Sequence, residues 1–180
     1  MNTVAQLIHD VAAARNEFID SIKNINEEQA AYKPSPDVWS ITDNTEHLFW
    51  AEQGAIFGMW KILYAIREGK ATRTFESQHK KWDIETLIAK TWKEKEIVPP
   101  VAAPRLGGTL AFWKSSLRGL QQVLEDFGKD IKEEELRLLA HPHPISGDMD
   151  FQQRLEFLVF HIKRHRAQVQ NIIDTLNSIA

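Results

Sequence analysis

The chain has 180 residues, enough for one domain with a continuous apolar core that needs neither a disulfide nor a metal to fold. A net charge of -3, with Lys and Arg interspersed among Asp and Glu, excludes the basic stripe that a nucleic-acid partner requires. The absence of cysteine excludes a disulfide framework, a thiolate metal site and a cysteine nucleophile.

The first apolar repeat runs from about Thr3 to Asn24, with Val4, Leu7, Ile8, Val11, Phe18 and Ile22 recurring at three- and four-residue steps. That is the period of an amphipathic helix. The N-terminus has no basic region followed by an apolar run, and no stretch approaches ~18 consecutive apolar residues. A cytoplasmic protein with no membrane partner is expected.

After the loop from Lys33 to Asp37, a second helix opens at Trp39-Ser40-Ile41 and continues to about Gly69. Ser40 is its predicted cap, and Asp43 places a carboxylate in the positively polarised first turn. Trp82 to Lys95 predicts a short accessory helix before the breaker-rich stretch Val98 to Pro104. The third main helix spans about Gly108 to Asp126 and ends at Gly128, a residue suited to a left-handed C-terminal position. Lys129 to Ala140 is expected to be partly helical, and a turn follows from His141 to Asp148. The fourth helix runs from about Asp150 to Asn177, with Asp148 or Asp150 as its cap. No alternating pattern signals a β-hairpin. The reading is an all-α, single-domain bundle over residues 1–180, with one or two long connections.

His161 and His165 lie four residues apart in the fourth helix, so both imidazoles project from one face. At ~100° per residue, that face also carries Leu158, Val169, Ile172 and Leu176. Two imidazoles turned into a core must be hydrogen-bonded, paired or metal-bound to offset their desolvation. Spacing alone is equally met by two buried histidines satisfied by neighbouring carbonyls. In the second helix His47 shares a face with Asn44, Ala51, Gly54, Ala55 and Gly58. Such small side chains either let two helices approach closely or leave open volume beside the imidazole.

Trp39-Ser40-Ile41 followed by His47-Leu48 resembles the Trp-Ser and His-Leu signature that opens the second helix of DinB-like proteins. His143-Pro144 and Gly147, then Phe157 to His161, Arg164-His165 and Gln168, resemble that family's second motif. The motifs fall in the family's order at both ends of the chain, and the middle carries the least likeness. Asp43 stands where the family often has Glu. The resemblance implies an up-down-down-up four-helix bundle, often a homodimer. It also implies a divalent ion, nickel, zinc or similar, held by His47, His161 and His165. Its characterised relatives include S-transferases that use low-molecular-weight thiols, a maleylpyruvate isomerase and proteins described as metal-dependent hydrolases.

The function expected is therefore a metal-dependent S-transferase or hydrolase acting on a small molecule with the three histidines as ligands. An ion on three neutral imidazoles keeps its charge and an open position, so it can acidify a water or thiol. The alternative is a non-catalytic metal- or small-molecule-binding bundle in stress response or sensing. Asn44, Gln168, Arg154 and His143 are candidates for supporting the ligands or contacting substrate, and His141 is a further candidate ligand or proton relay. Glu46 and Glu52 are placed as partners on an adjacent helix, His9 and His79 at the surface. The six tryptophans read as core and interface filler, with Trp39 plugging the end of the bundle.

Overall fold

The computed structural model describes residues 3–71, 79–93 and 96–179. Four long helices, α1 (Val4–Ser21), α3 (Ile41–Arg67), α5 (Leu110–Asp130) and α6 (Phe151–Ile179), form the body. Two short helices, α2 (Glu27–Ala31) and α4 (Ile84–Thr91), lie in the connections. In the long helices α1 packs on α6 and α5, and α3 packs on α5 and α6.

Each start follows from a side chain that accepts an otherwise unpaired amide. Thr3 caps α1, and Ser40 with Asp43 forms a reciprocal capping box on α3. Asp150 and Gln153 exchange the same pair of bonds at the start of α6. At α5, Thr109 is joined by Glu27, whose carboxylate accepts from the amides of Leu110 and Ala111. The end of α3 is closed at Gly69, which takes the left-handed conformation with φ of 69°.

One core cluster joins these helices, built on residues such as Leu7, Phe18, Ile56, Met59, Leu117, Phe127, Leu155 and Ile162. A smaller one sets Leu87 of α4 against Met149 and Phe157. Within the main core Arg15 makes an ion pair with Glu52, both buried, and also donates to Gln121. Glu52 therefore ties α3 to α1 and touches none of the candidate histidines.

Three expectations need correction. Residues 140–150 form an antiparallel hairpin, β1 (Ala140–His143) with β2 (Gly147–Asp150), registering Ala140 with Asp150 and His143 with Gly147. Pro142 and Pro144 hide this hairpin, because they break the alternation by which strands are recognised. Gly128 lies inside α5, which continues to Asp130. There it gives room to the Ile8 side chain, only 2.7 Å from where a Cβ would stand. His79 is buried, with Nε2 2.7 Å from the Ser146 carbonyl, 67 residues away in the chain. The accessory helix is real but ends at Thr91; Lys95, its predicted end, lies outside the described residues.

No described helix is long and apolar enough to cross a membrane.

Candidate metal centre

His47 comes from the second turn of α3, and His161 and His165 from successive turns of α6. All three are buried and form one group whose ligand-capable nitrogens lie within 4.8 Å of one another. His47 Nε2 is 3.0 Å from His161 Nε2, and His165 Nε2 is 3.2 Å from the same atom.

The far sides of two rings are committed elsewhere. His47 Nδ1 is 2.7 Å from the Ala102 carbonyl, which can only accept, so Nδ1 carries the proton. His165 Nδ1 faces Asn44 Oδ1 at 2.8 Å. Asn44 Nδ2 donates to the Ser40 carbonyl at 2.8 Å, which fixes the amide and leaves its oxygen for the histidine. Neutral His47 and His165 therefore both point lone pairs inward, and one proton on His161 Nε2 can serve only one of them.

Burial holds the three rings neutral. It lowers the pKa of His47 despite the Ala102 bond, and that of His161 well below normal, with His165 and His47 adding to the effect. His165 is likewise well below normal, first through burial and then through His47. Three converging neutral imidazoles are a donor set that fits a divalent ion.

Aromatic rings fix the cluster from outside. Trp39 stacks on His165 at 6.1 Å between centroids and tilts against His47 at 4.9 Å. Phe157 stacks on His161 at 5.7 Å, with Trp92 edge-on at 6.1 Å. Trp39 thus covers the histidines.

A cavity of about 960 Å³ adjoins the cluster and is bounded by exposed residues at Asp37, Val38, Val101 and Gln168. The small-residue face of α3 serves both purposes open at the sequence level. Gly54 lines the cavity, with no neighbour within 4 Å of a built Cβ. Gly58 instead abuts the His141 ring so closely that a Cβ there would overlap it. Gly58→Ala is expected to displace His141 and to cost about 1–3 kcal/mol by overpacking, measured by urea denaturation.

Arg154 and His143 line the same cavity without joining the three-histidine group. His143 Nδ1 accepts from the amides of Ile145 and Ser146, so this ring secures the hairpin turn. His141 Nδ1 accepts from Arg154 Nε at 3.3 Å. Burial, aided by Arg154, pushes His141 down to about 4 and His143 to about 2. Gln168 is exposed at the edge of the cavity. His9 is exposed, as expected.

Glu46, expected as a partner on an adjacent helix, serves the stretch between α4 and α5 instead. Its carboxylate accepts from the amides of Arg105 and Leu106 at 2.8 Å and of Gly107 at 3.0 Å, and from Trp50 Nε1. It holds the segment that carries Ala102, and so acts on His47 through that segment. Arg105 closes the arrangement by lying over the Trp50 ring. Ala102 itself was missed, since a backbone carbonyl leaves no mark on residue type.

By fold the chain is similar to a conserved protein of Enterococcus faecalis, with a TM-score of 0.59 and 15% identity, over 96% of this chain and 95% of that one. An uncharacterised protein of Clostridium difficile 630 gives a TM-score of 0.58 and 13% identity, with 95% of each chain covered. In sequence it is 24% identical over 163 residues to the uncharacterised protein YuaE of Bacillus subtilis (strain 168), covering 88% of this chain and 92% of that protein. The DinB superfamily profile matches residues 10–169, and the chain belongs to that superfamily.

Proposed function

We propose that the protein is a metal-dependent enzyme of the S-transferase or hydrolase type. It would hold a divalent ion, nickel, zinc or similar, on His47, His161 and His165 within an up-down-down-up four-helix bundle. The observation that carries this reading is the inward lone pairs of His47 and His165, with only 3.0 and 3.2 Å separating them from the third imidazole. Their outer nitrogens are held by Ala102 and Asn44, which support the ligands in the way that orients imidazoles for a metal.

Among the described residues no fourth Cys, His, Asp or Glu joins the group, and the cavity stands beside it. That favours an open catalytic site over a closed structural one. A divalent ion there would supply Lewis acidity, lowering the pKa of a water or thiol or polarising a carbonyl. The protein's own contribution is placement: Trp39, Trp92 and Phe157 keep the rings in position and shield them from bulk water.

Elemental analysis of protein purified without an affinity tag tests the site. About one ion per chain is expected for the wild type, and a loss of 10-fold or more in metal affinity for His47→Ala and His165→Ala. Equal metal content in all three proteins contradicts the reading. With the metal established, low-molecular-weight thiols with electrophiles, set against esters and amides, separate transferase from hydrolase.

A further inference from the structure

Arg154 is buried, only 6% exposed, and lines the cavity beside the three histidines. Its guanidinium uses one edge: Nε donates to His141 Nδ1, and the group lies over the Phe157 ring at 5.3 Å. One terminal nitrogen, Nη1, is buried with no hydrogen-bond partner.

The other arginines that form ion pairs among the described residues find carboxylates: Arg15 with Glu52, Arg67 with Asp130 and Glu135, Arg137 with Asp150, Arg166 with Glu17. Arg154 has none there. Its polar neighbours, His141 and His143, are neutral and cannot balance it. A buried guanidinium without an anion is a standing cost, removed when a counter-charge arrives.

Arg154 and His161 are seven residues apart on α6, which puts them on one face and ~10 Å apart along the axis. A molecule reaching from one to the other would run past Phe157 and Trp92, which line the cavity between apolar walls. A guanidinium edge can offer two parallel N–H donors, the geometry that a carboxylate meets with both oxygens. Nη1 of Arg154, buried and unpartnered, is available for such a pair once a small shift of the side chain turns it to the cavity. A single guanidinium matches a single negative charge, whereas a phosphate dianion would bring a second one without a partner.

We propose that Arg154 is the receptor for a carboxylate on the substrate, and that the cavity takes small organic acids with an apolar or aromatic body. This deepens the enzyme reading and rests on the cavity being the substrate site. The acid group is held about two helical turns from the histidines, leaving the other end of the molecule at the reacting position.

The test is calorimetric titration with phenylacetate, 3-phenylpropanoate, 4-phenylbutanoate and 5-phenylpentanoate, each beside its primary amide, and with phenyl phosphate. Protein is used as purified and after treatment with a chelator. At least one acid is expected to bind about tenfold or more tightly than its amide in both forms. Arg154→Gln should bring that ratio to about one while metal content stays at the wild-type level.

Arg154→Lys keeps the charge but loses the two-pronged geometry. It is expected to retain a reduced preference, and is the deciding variant if Arg154→Gln does not fold. The proposal is overturned if no acid outbinds its amide, if phenyl phosphate outbinds every acid, or if in chelated protein the preference survives Arg154→Gln or is undiminished in Arg154→Lys. His165→Ala should lose the ion yet keep the acid preference, so failure of the metal site and failure of the acid receptor read out separately.

Discussion

Arg15→Met is expected to destabilise the protein by about 3–5 kcal/mol, the cost of leaving one half of a buried ion pair alone. Arg15 Nε donates to both Glu52 oxygens, at 3.0 and 3.2 Å, and its terminal nitrogens reach Glu52 and Gln121 at 2.5 Å. Removing the guanidinium therefore strands a carboxylate and an amide oxygen in the core between α1, α3 and α5. Burial already pushes the Glu52 carboxyl up against the pull of Arg15, so in the variant Glu52 will take up a proton more readily. Arg15→Met should consequently recover part of its stability as pH is lowered toward the carboxylate range. The double variant Arg15→Met with Glu52→Leu should regain most of the loss, because an apolar pair fills the space without a charge. Urea denaturation of the single and double variants measures both effects. A single variant within about 1 kcal/mol of wild type would show that the pair is not a buried charge in solution.

Lowering the pH from 7.5 to 5.5 should cost chelated protein about 2–3 kcal/mol through His141 and His143 alone. The two fold with pKa values pushed down to about 4 and about 2, while in the unfolded chain each titrates at its ordinary 6.5. The unfolded state thus binds protons first, so the stabilisation is complete above about pH 6.5 and is lost as pH falls toward the folded values. Each contributes about 1.4 kcal/mol at one unit below 6.5, and the lower end of the range allows for the partial exposure of His141. His47, His161 and His165 are also lowered and act in the same direction. The comparison stays above the range in which ordinary carboxylates titrate. Urea denaturation at the two pH values measures the change, and a flat profile would mean that these rings are already hydrated and free to ionise.

The helices were readable because burial of one face imposes a 3.6-residue period, and because Thr3, Ser40, Asp150 and their partners are local to the starts they cap. The convergence of the three histidines needed more. The four-residue spacing of His161 and His165 puts them on one face, but which helix lies opposite is decided by packing among residues 114 positions apart. The DinB-like motifs supplied that pairing. What stayed out of sight depends on distant backbone. The carbonyl that orients His47 belongs to Ala102, and the one that meets His79 to Ser146. A residue's type tells nothing of where its carbonyl will point. The sequence places Glu46 and Glu52 as partners on an adjacent helix and leaves Arg15 unmarked, and only the assembled fold shows all three buried and which groups they meet.

Glu46 and His47 are adjacent in sequence, and both reach out of α3 to the same stretch of chain between α4 and α5, one to the amides of residues 105–107 and the other to the carbonyl of Ala102. That stretch is therefore a latch fastened at two points, one of them a histidine of the cluster. Reciprocity then applies to the proposed ion: one that held His47 in its present rotamer would also tighten the latch, by the same free energy with which the fastened latch would tighten the ion. If the histidines take an ion as proposed, fastening of this stretch and loading of the site would be two faces of one equilibrium.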